Sequence, residues 1–326
     1  MPGADLSIIN WLLSPMKPDL EPERPDFNKW RDIFYANALG WNNSAARAIA
    51  GGFMSPCPAF AFVAGYVSAL HCLLPDLLPH LIPSFCITEK GGGHPRAIAA
   101  TLSPGPDAPP SSPSLLLNGK KTFITCACEA DIFLVAASTG ISGDGKNIIR
   151  LARVASTQPG IRITPLTGLN ILPEISHARV EFKDVVVRAE DLMAGDGYIR
   201  YIKPFRTIED IHVIAGILGY LFRCGRLYGW DRKVMARILG LMPDTIVLAR
   251  NDPLSPAVHI LTSDLLARIL AMVEDLKPLW AKVGGNAMEE WNRDRALLGV
   301  AGKARAMRLK SAWKAIESMA EKPFPA

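Results

Sequence analysis

Cysteine is present without the arrangement that would make it structural. Cys57, Cys72, Cys86, Cys126, Cys128 and Cys224 lie scattered along 326 residues. Free thiols in a reducing compartment are expected rather than a disulfide framework. Cys126-Ala127-Cys128 is tighter than a zinc-ligand pair and has no second Cys or His pair nearby, so no metal site is expected. A strong charge of either sign is also missing: 36 Lys and Arg against 31 Asp and Glu leave a net +5. That permits an anionic ligand such as a nucleotide and does not demand nucleic acid. The most apolar stretch, "AFAFVAGYVSALHCLL" at 59–74, stops short of the roughly 18–20 clean residues of a bilayer-crossing helix and runs on to Pro75 and Pro79. It reads as a buried helix, and no membrane span is expected. No basic region precedes the apolar residues of "MPGADLSIINWLL", so no signal peptide is expected and the expected location is cytoplasmic. There is no internal repeat.

What is there changes pattern twice. Residues 5–80 read as helical segments broken by prolines, with Asn43 placed to cap "SAARAIAGGF". From about 84 to 190 short β-rich runs follow one another between turn residues: "SFCIT", "AIAATLS", "SLLL", "TFITCA", "DIFLVAAS", "NIIRLARV", "GIRITPL" and "ARVEFKDVVV". Asn118-Gly119 between two of these runs is the strongest short hairpin signal. "SPGPDAPPSSP" at 103–113 reads as a loop. Many strands with no helical period between them predict a barrel or sandwich. After about 200 the helical period returns in "TIEDIHVIAGILGYLFRCGRLYGW", "SPAVHILTSDLLARILAMVEDLKPLWAKV" and "NRDRALLGVAGKARAMRLKSAWKAI". The first is apolar nearly all round and carries small residues Ala215, Gly216 and Gly219, as suits a helix packed on several neighbours. The expected fold class is α+β: N-terminal helices over 1–82, a central antiparallel β-barrel or sandwich over 83–197, and a C-terminal helical bundle over 198–326.

"FCITEKGGGHPR", at 85–96, raises the one local question about a ligand. It is no mononucleotide P-loop, for it lacks the Gly-Lys-Ser/Thr ending and the helix that should follow. Taken alone, three glycines in a β-rich region read as a turn.

In their order, four strings resemble the acyl-CoA dehydrogenase family: "CITEKGGG", "LNGKKTFITCACEADIFLVAA", "FKDVVVRAEDLMAGDG" and "EDIHVIAGILG". The match runs from about residue 84 to 225 and more loosely to about 310. The resemblance implies FAD held between the β domain and the C-terminal helices, usually in a homodimer or homotetramer. By residue-to-residue match, Thr88 and Thr125 would contact the flavin, and Phe123 would stand where the family's ring-stacking Trp sits. Backbone amides at Gly91, Gly92 and Gly93 would approach the pyrophosphate, because glycine has no Cβ in the way. His94 replaces the serine expected beside that phosphate.

The family's reaction removes the α-proton of an acyl-CoA thioester with a carboxylate while hydride leaves the β-carbon for the flavin. An electron-accepting flavoprotein is then a possible partner. The late Gly-Gly-rich segment that carries the base in most members is not found. Glu209 matches the position used by others and is the candidate base, although a Glu in a first helical turn is also favoured by the helix dipole alone. Asp210 stands where the family keeps an arginine, and Arg206, one turn earlier, is the candidate substrate-binding residue that would compensate. The Arg-x-x-Phe-Gly that reaches a neighbouring subunit's FAD has no clear equivalent in "WDRKVMARILGLMPDTIVLARNDP", and the N-terminal helical region is short. These departures leave a second expectation open, a non-catalytic relative that keeps the scaffold for binding or assembly. The basic helix around Arg305, Arg308 and Lys310 reads first as a solvated face, and less readily as a nucleic-acid contact.

Overall fold

Asn43 does cap a helix: its side chain accepts a hydrogen bond from the Ala46 amide at 3.0 Å. The computed structural model describes residues 6–15, 25–105 and 114–320. Most of the 103–113 loop lies outside them. The chain divides into two units, one built from residues 1–72 and 206–326, the other from residues 73–205.

The first unit is helical: α1 (Ser7–Leu13), α2 (Phe27–Ala38), α3 (Ser44–Phe53), α4 (Pro58–Leu73), α5 (Lys203–Leu227), α6 (Arg232–Leu248), α7 (Pro256–Asp275), α8 (Lys277–Val283), α9 (Gly285–Asp294) and α10 (Gly302–Ala320). α5 is buried from several sides by small-residue contacts. A Cβ on Gly216 would lie 2.4 Å from the Ala61 carbonyl of α4, and one on Gly52 of α3 only 1.9 Å from the Gly216 carbonyl. Backbones therefore meet with no side chain between them. His212, fully buried on α5, joins the same packing: Nδ1–H donates to the Ile208 carbonyl at 2.7 Å and Nε2 accepts from the Ser44 hydroxyl at 2.8 Å. Burial pushes its pKa down to about 4, so it sits there as the neutral imidazole.

Two stretches that read as single long helices are broken. "SPAVHILTSDLLARILAMVEDLKPLWAKV" divides at Leu276, just before Pro278, into α7 and α8. Proline cannot donate the hydrogen bond that a continuing helix needs. "NRDRALLGVAGKARAMRLKSAWKAI" passes through a 3₁₀ turn at Arg295–Gly299 before α10 begins at Gly302, where two glycines weaken the helix. α7 is long and apolar enough to cross a bilayer by composition. Its Leu265, Ile269 and Met272 are nevertheless buried in the core of the helical unit.

The second unit is a seven-stranded sheet: β1 (Pro83–Cys86), β2 (Thr101–Pro104), β3 (Leu115–Thr125), β4 (Ile132–Ile141), β5 (Asn147–Ala155), β6 (Ile161–Pro165) and β7 (His177–Val187). Its order is β1-β4-β2-β3-β7-β6, with β5 added on β4. The sheet is mixed rather than purely antiparallel, because β1 runs parallel to β4 from Pro83↔Ile132 to Cys86↔Val135. Leu117, Ile124, Phe133, Val135, Val180 and Phe182 form its core.

Asn118-Gly119 does not turn a hairpin. It lies inside β3, at a register shift against β7. The Asn118 side chain completes the interrupted ladder: Oδ1 accepts from the Asp184 amide at 2.9 Å and Nδ2 donates to the Asp184 carboxylate at 3.1 Å. Gly119 is required by close approach, since a Cβ there would fall 2.5 Å from that of Ala100. The dipeptide marks a bulge, which uses the same residue types as a tight turn.

Gly216→Ala is expected to destabilise the protein by at least the roughly 1–3 kcal/mol of an overpacked core. A denaturant midpoint that stays unchanged would show that α4 and α5 can part without cost.

Candidate functional site

The sheet unit brings the flavin-contact candidates together through a charge pair buried under them. Lys121, in β3, has no exposed surface, and its ammonium lies 2.7 Å from Glu89 Oε1, itself only 8% exposed. Glu89 also accepts from the Ala99 and Ala100 amides, each at 3.0 Å, and Lys121 donates to the Ile87 carbonyl at 3.3 Å. Loss of hydration holds the Lys121 ammonium below the usual lysine range, with Glu89 opposing that shift. The pair ties the chain leaving β1 to the middle of β3. Beside it the Thr122 amide donates to the Thr88 carbonyl at 2.8 Å.

Directly after Lys121 the β3–β7 register shifts again, up to Ile124. Phe123 sits in this bulge with φ +55°, a left-handed conformation that a bulky residue rarely adopts, and its ring is 59% exposed. An aromatic ring held outward by a strained backbone is a ready surface for a flat ligand. Thr88, in the segment after β1, and Thr125, in β3 just beyond the bulge, are both half-buried. Thr125 is held by its carbonyl, which accepts from the Ser84 hydroxyl at 2.6 Å.

Two of the three glycines, Gly91 and Gly92, close a tight turn, and Gly93 follows it. Glu89 and Gly92 exchange both backbone hydrogen bonds, at 3.1 and 2.8 Å, with Lys90 and Gly91 at the tip. The Gly92 amide is therefore already committed. His94 ends the loop as an N-cap: Nδ1 accepts from the Arg96 amide at 3.2 Å, at the start of a 3₁₀ turn over Pro95–Ala97. The imidazole performs the capping that a serine hydroxyl performs elsewhere.

The helical unit holds Glu209, Asp210 and Arg206 on α5. Glu209 does not lie in a first turn, because α5 begins at Lys203 and has no acidic residue there. The dipole explanation for it therefore falls away. Its carboxyl is pushed up to about 7, mainly by lost hydration and next by the Asp210 charge, against the pull of Arg206, Arg305 and Arg308. A carboxylate poised near neutrality is what general-base work requires. Asp210 is buried and gripped from α10: Arg305 Nη2 donates at 3.0 Å and Arg308 Nη2 at 2.5 Å. The compensating positive charge thus comes from two arginines of α10 as well as from Arg206, which is exposed. Two of the three cations named on the basic helix face inward and are ion-paired, which removes most of the support for a nucleic-acid face there.

Sequence reasoning missed Lys121 and Glu89, and it named Arg305 and Arg308 only as part of a basic helix face. A lysine alternating inward along an apolar strand was the available signal for Lys121, and with it Glu89. The three-residue spacing of Arg305 and Arg308 puts both on one face of α10, but nothing local names Asp210 as their partner.

No family model matches the chain. A probable short/branched chain specific acyl-CoA dehydrogenase of Dictyostelium discoideum is 32% identical over 124 residues, 37% of this chain and 29% of the relative. The mitochondrial isobutyryl-CoA dehydrogenase of Bos taurus is 26% identical over 243 residues, 70% of this chain and 50% of the relative. The chain thus matches half or less of the length of these curated relatives. Among solved structures, butyryl-CoA dehydrogenase from Megasphaera elsdenii superposes with a TM-score of 0.68 at 15% identity, covering 89% of this chain and 90% of the other.

Lys121→Met should destabilise the sheet unit by about 3–5 kcal/mol, because it leaves Glu89 buried without its counter-charge. Adding Glu89→Gln to that variant should recover part of the loss. A double variant no more stable than the single one in a denaturant series would remove the pair from this role.

Proposed function

Since the chain belongs, as a distant member, to the acyl-CoA dehydrogenase family, we propose that it oxidises an acyl-CoA thioester between its α and β carbons, with Glu209 as the base that takes the α-proton. What supports the proposal is the place of Glu209 on α5, half-buried beside the Asp210 that Arg305 and Arg308 grip, where lost hydration and then the Asp210 charge push its carboxyl up to about 7. At that poise it accepts a proton at neutral pH and releases it to solvent afterwards. Arg305 and Arg308 keep Asp210 from drifting toward Glu209 as a free second carboxylate. Arg206 supplies the nearby exposed cation for substrate.

The residues of the sheet unit fit a flavin. Phe123 offers an exposed ring face, and Thr88 and Thr125 offer hydroxyls from partly open positions. The turn at Gly91, Gly92 and Gly93, with His94 behind it, offers the pyrophosphate contact, less the Gly92 amide. Bound FAD would supply the two-electron acceptor, and an electron-accepting flavoprotein would be the onward partner. A homodimer or homotetramer is the expected assembly.

A second reading, a scaffold relative without turnover, has one specific observation behind it. The stretch from Arg232 to Leu248, where the Arg-x-x-Phe-Gly would be sought, folds as helix α6.

The purified protein incubated with FAD should turn yellow and be bleached anaerobically by an acyl-CoA. Glu209→Gln should keep the colour and lose about 10²–10⁴ of the bleaching rate. In the unaltered protein that rate should climb with pH through about 7, because only the ionised carboxylate accepts the proton. A protein that takes up no FAD rejects the dehydrogenase reading, and one that bleaches normally as Glu209→Gln rejects the base.

A further inference from the structure

Beyond the glycine turn the chain is held by a side chain that is not among the flavin-contact candidates. Asn147, half-buried at the start of β5, donates from Nδ2 to two carbonyls, Pro95 at 3.1 Å and Ile98 at 2.8 Å. These residues bracket the 3₁₀ turn over Pro95–Ala97. One amide thus ties both ends of that turn to the sheet, across 52 and 49 positions of sequence. The Glu89 carboxylate takes over at once, on the Ala99 and Ala100 amides.

The Asn147 amide has one usable orientation. Reversed, its oxygen would face two carbonyl oxygens. In the orientation it keeps, Oδ1 is buried without a hydrogen-bond partner. An acceptor left so costs free energy, which an apolar side chain of the same shape would avoid. The two donated bonds are what distinguishes asparagine from such a filler.

What the turn fixes is His94. The Ala97 amide donates to the His94 carbonyl at 2.8 Å, and the Arg96 amide to His94 Nδ1 at 3.2 Å. A neutral imidazole that accepts at Nδ1 carries its proton on Nε2. His94 is exposed, and its Nε2 makes no hydrogen bond among the described residues. The ring therefore presents a donor of settled identity, where a free histidine would exchange between two tautomers. A donor organised in advance loses less freedom on meeting a phosphate oxygen.

We propose that Asn147 is a positioning residue for the cofactor loop. By holding Pro95 and Ile98 it keeps the His94 cap formed, and so keeps Nε2–H available to a phosphate oxygen. The role rests on the flavin reading above, whose pyrophosphate supplies that oxygen.

Hydrogen exchange of the full chain without FAD, read by mass spectrometry, tests the loop first. Asn147→Leu removes both donors, and Asn147→Asp removes them while keeping the shape. Each should speed exchange over 91–99 about tenfold or more, as the loss of two ordinary hydrogen bonds implies, and leave β3 and β7 unchanged. Nitrogen-15 spectra of histidine-labelled protein should show the His94 proton on Nε2, and mixed tautomers in both variants. FAD should bind each variant about tenfold more weakly. Once His94→Ala is made, Asn147→Leu should cost little further affinity, because it acts through His94. Unchanged loop exchange in Asn147→Leu or Asn147→Asp overturns the role of Asn147, and so do affinity losses that add in full. An unaltered chain that shows the expected exchange and tautomer but takes up no FAD rejects the flavin reading, and the positioning role falls with it.

Discussion

A lysine in the core of a sheet imposes more on this protein than any apolar contact does. Lys121 has no exposed surface, and an unpaired ammonium there would be prohibitively expensive to bury. Glu89 must therefore come to it, and Glu89 brings the chain that follows β1. Its second set of bonds, to the Ala99 and Ala100 amides, closes the loop between them. The residue before Glu89 is Thr88, and the residue two beyond Lys121 is Phe123. One buried pair thus determines where the flavin-contact candidates stand. The bulge at Phe123 then turns a core strand outward, at the cost of a left-handed backbone.

In the helical unit a single helix carries two tasks that make opposite demands. Around Gly216 α5 lets its neighbours approach to backbone contact, which needs an absence of side chains. Two turns earlier it gathers Glu209, Asp210 and the arginines of α10, which needs charges held apart by geometry. Spacing along the helix keeps the demands from colliding. The raised Glu209 carboxyl follows first from lost hydration and then from the Asp210 charge next to it, against the pull of Arg206, Arg305 and Arg308.

Local chemistry was readable wherever it was decided locally. Asn43 as a cap, the β runs and the helical period after residue 200 all follow from neighbours within a few positions, although "SLLL" and "TFITCA", which read as two runs, are one strand, β3. Asn118-Gly119 shows the limit of that reading. The same two residues serve a hairpin or a bulge, and Ala100 and Asp184, distant in sequence, decide between them. The parallel pairing of β1 with β4 was hidden for the same reason, because a strand's pattern says which face is buried and not which strand lies beside it.

By itself the sequence determined the classes of element, their order, and the short strings that suggest an acyl-CoA dehydrogenase. Those features rest on backbone propensity and hydrophobic period, which act over a turn or a strand. The tertiary structure decided the electrostatics. Glu89 finds Lys121 across 32 positions, and Asp210 finds Arg305 across 95. A charge's partner depends on which surfaces meet after folding, and no local spacing encodes that meeting. Asp210 reads in sequence as a reversed charge; folded against α10, it becomes the residue that brings two arginines to Glu209.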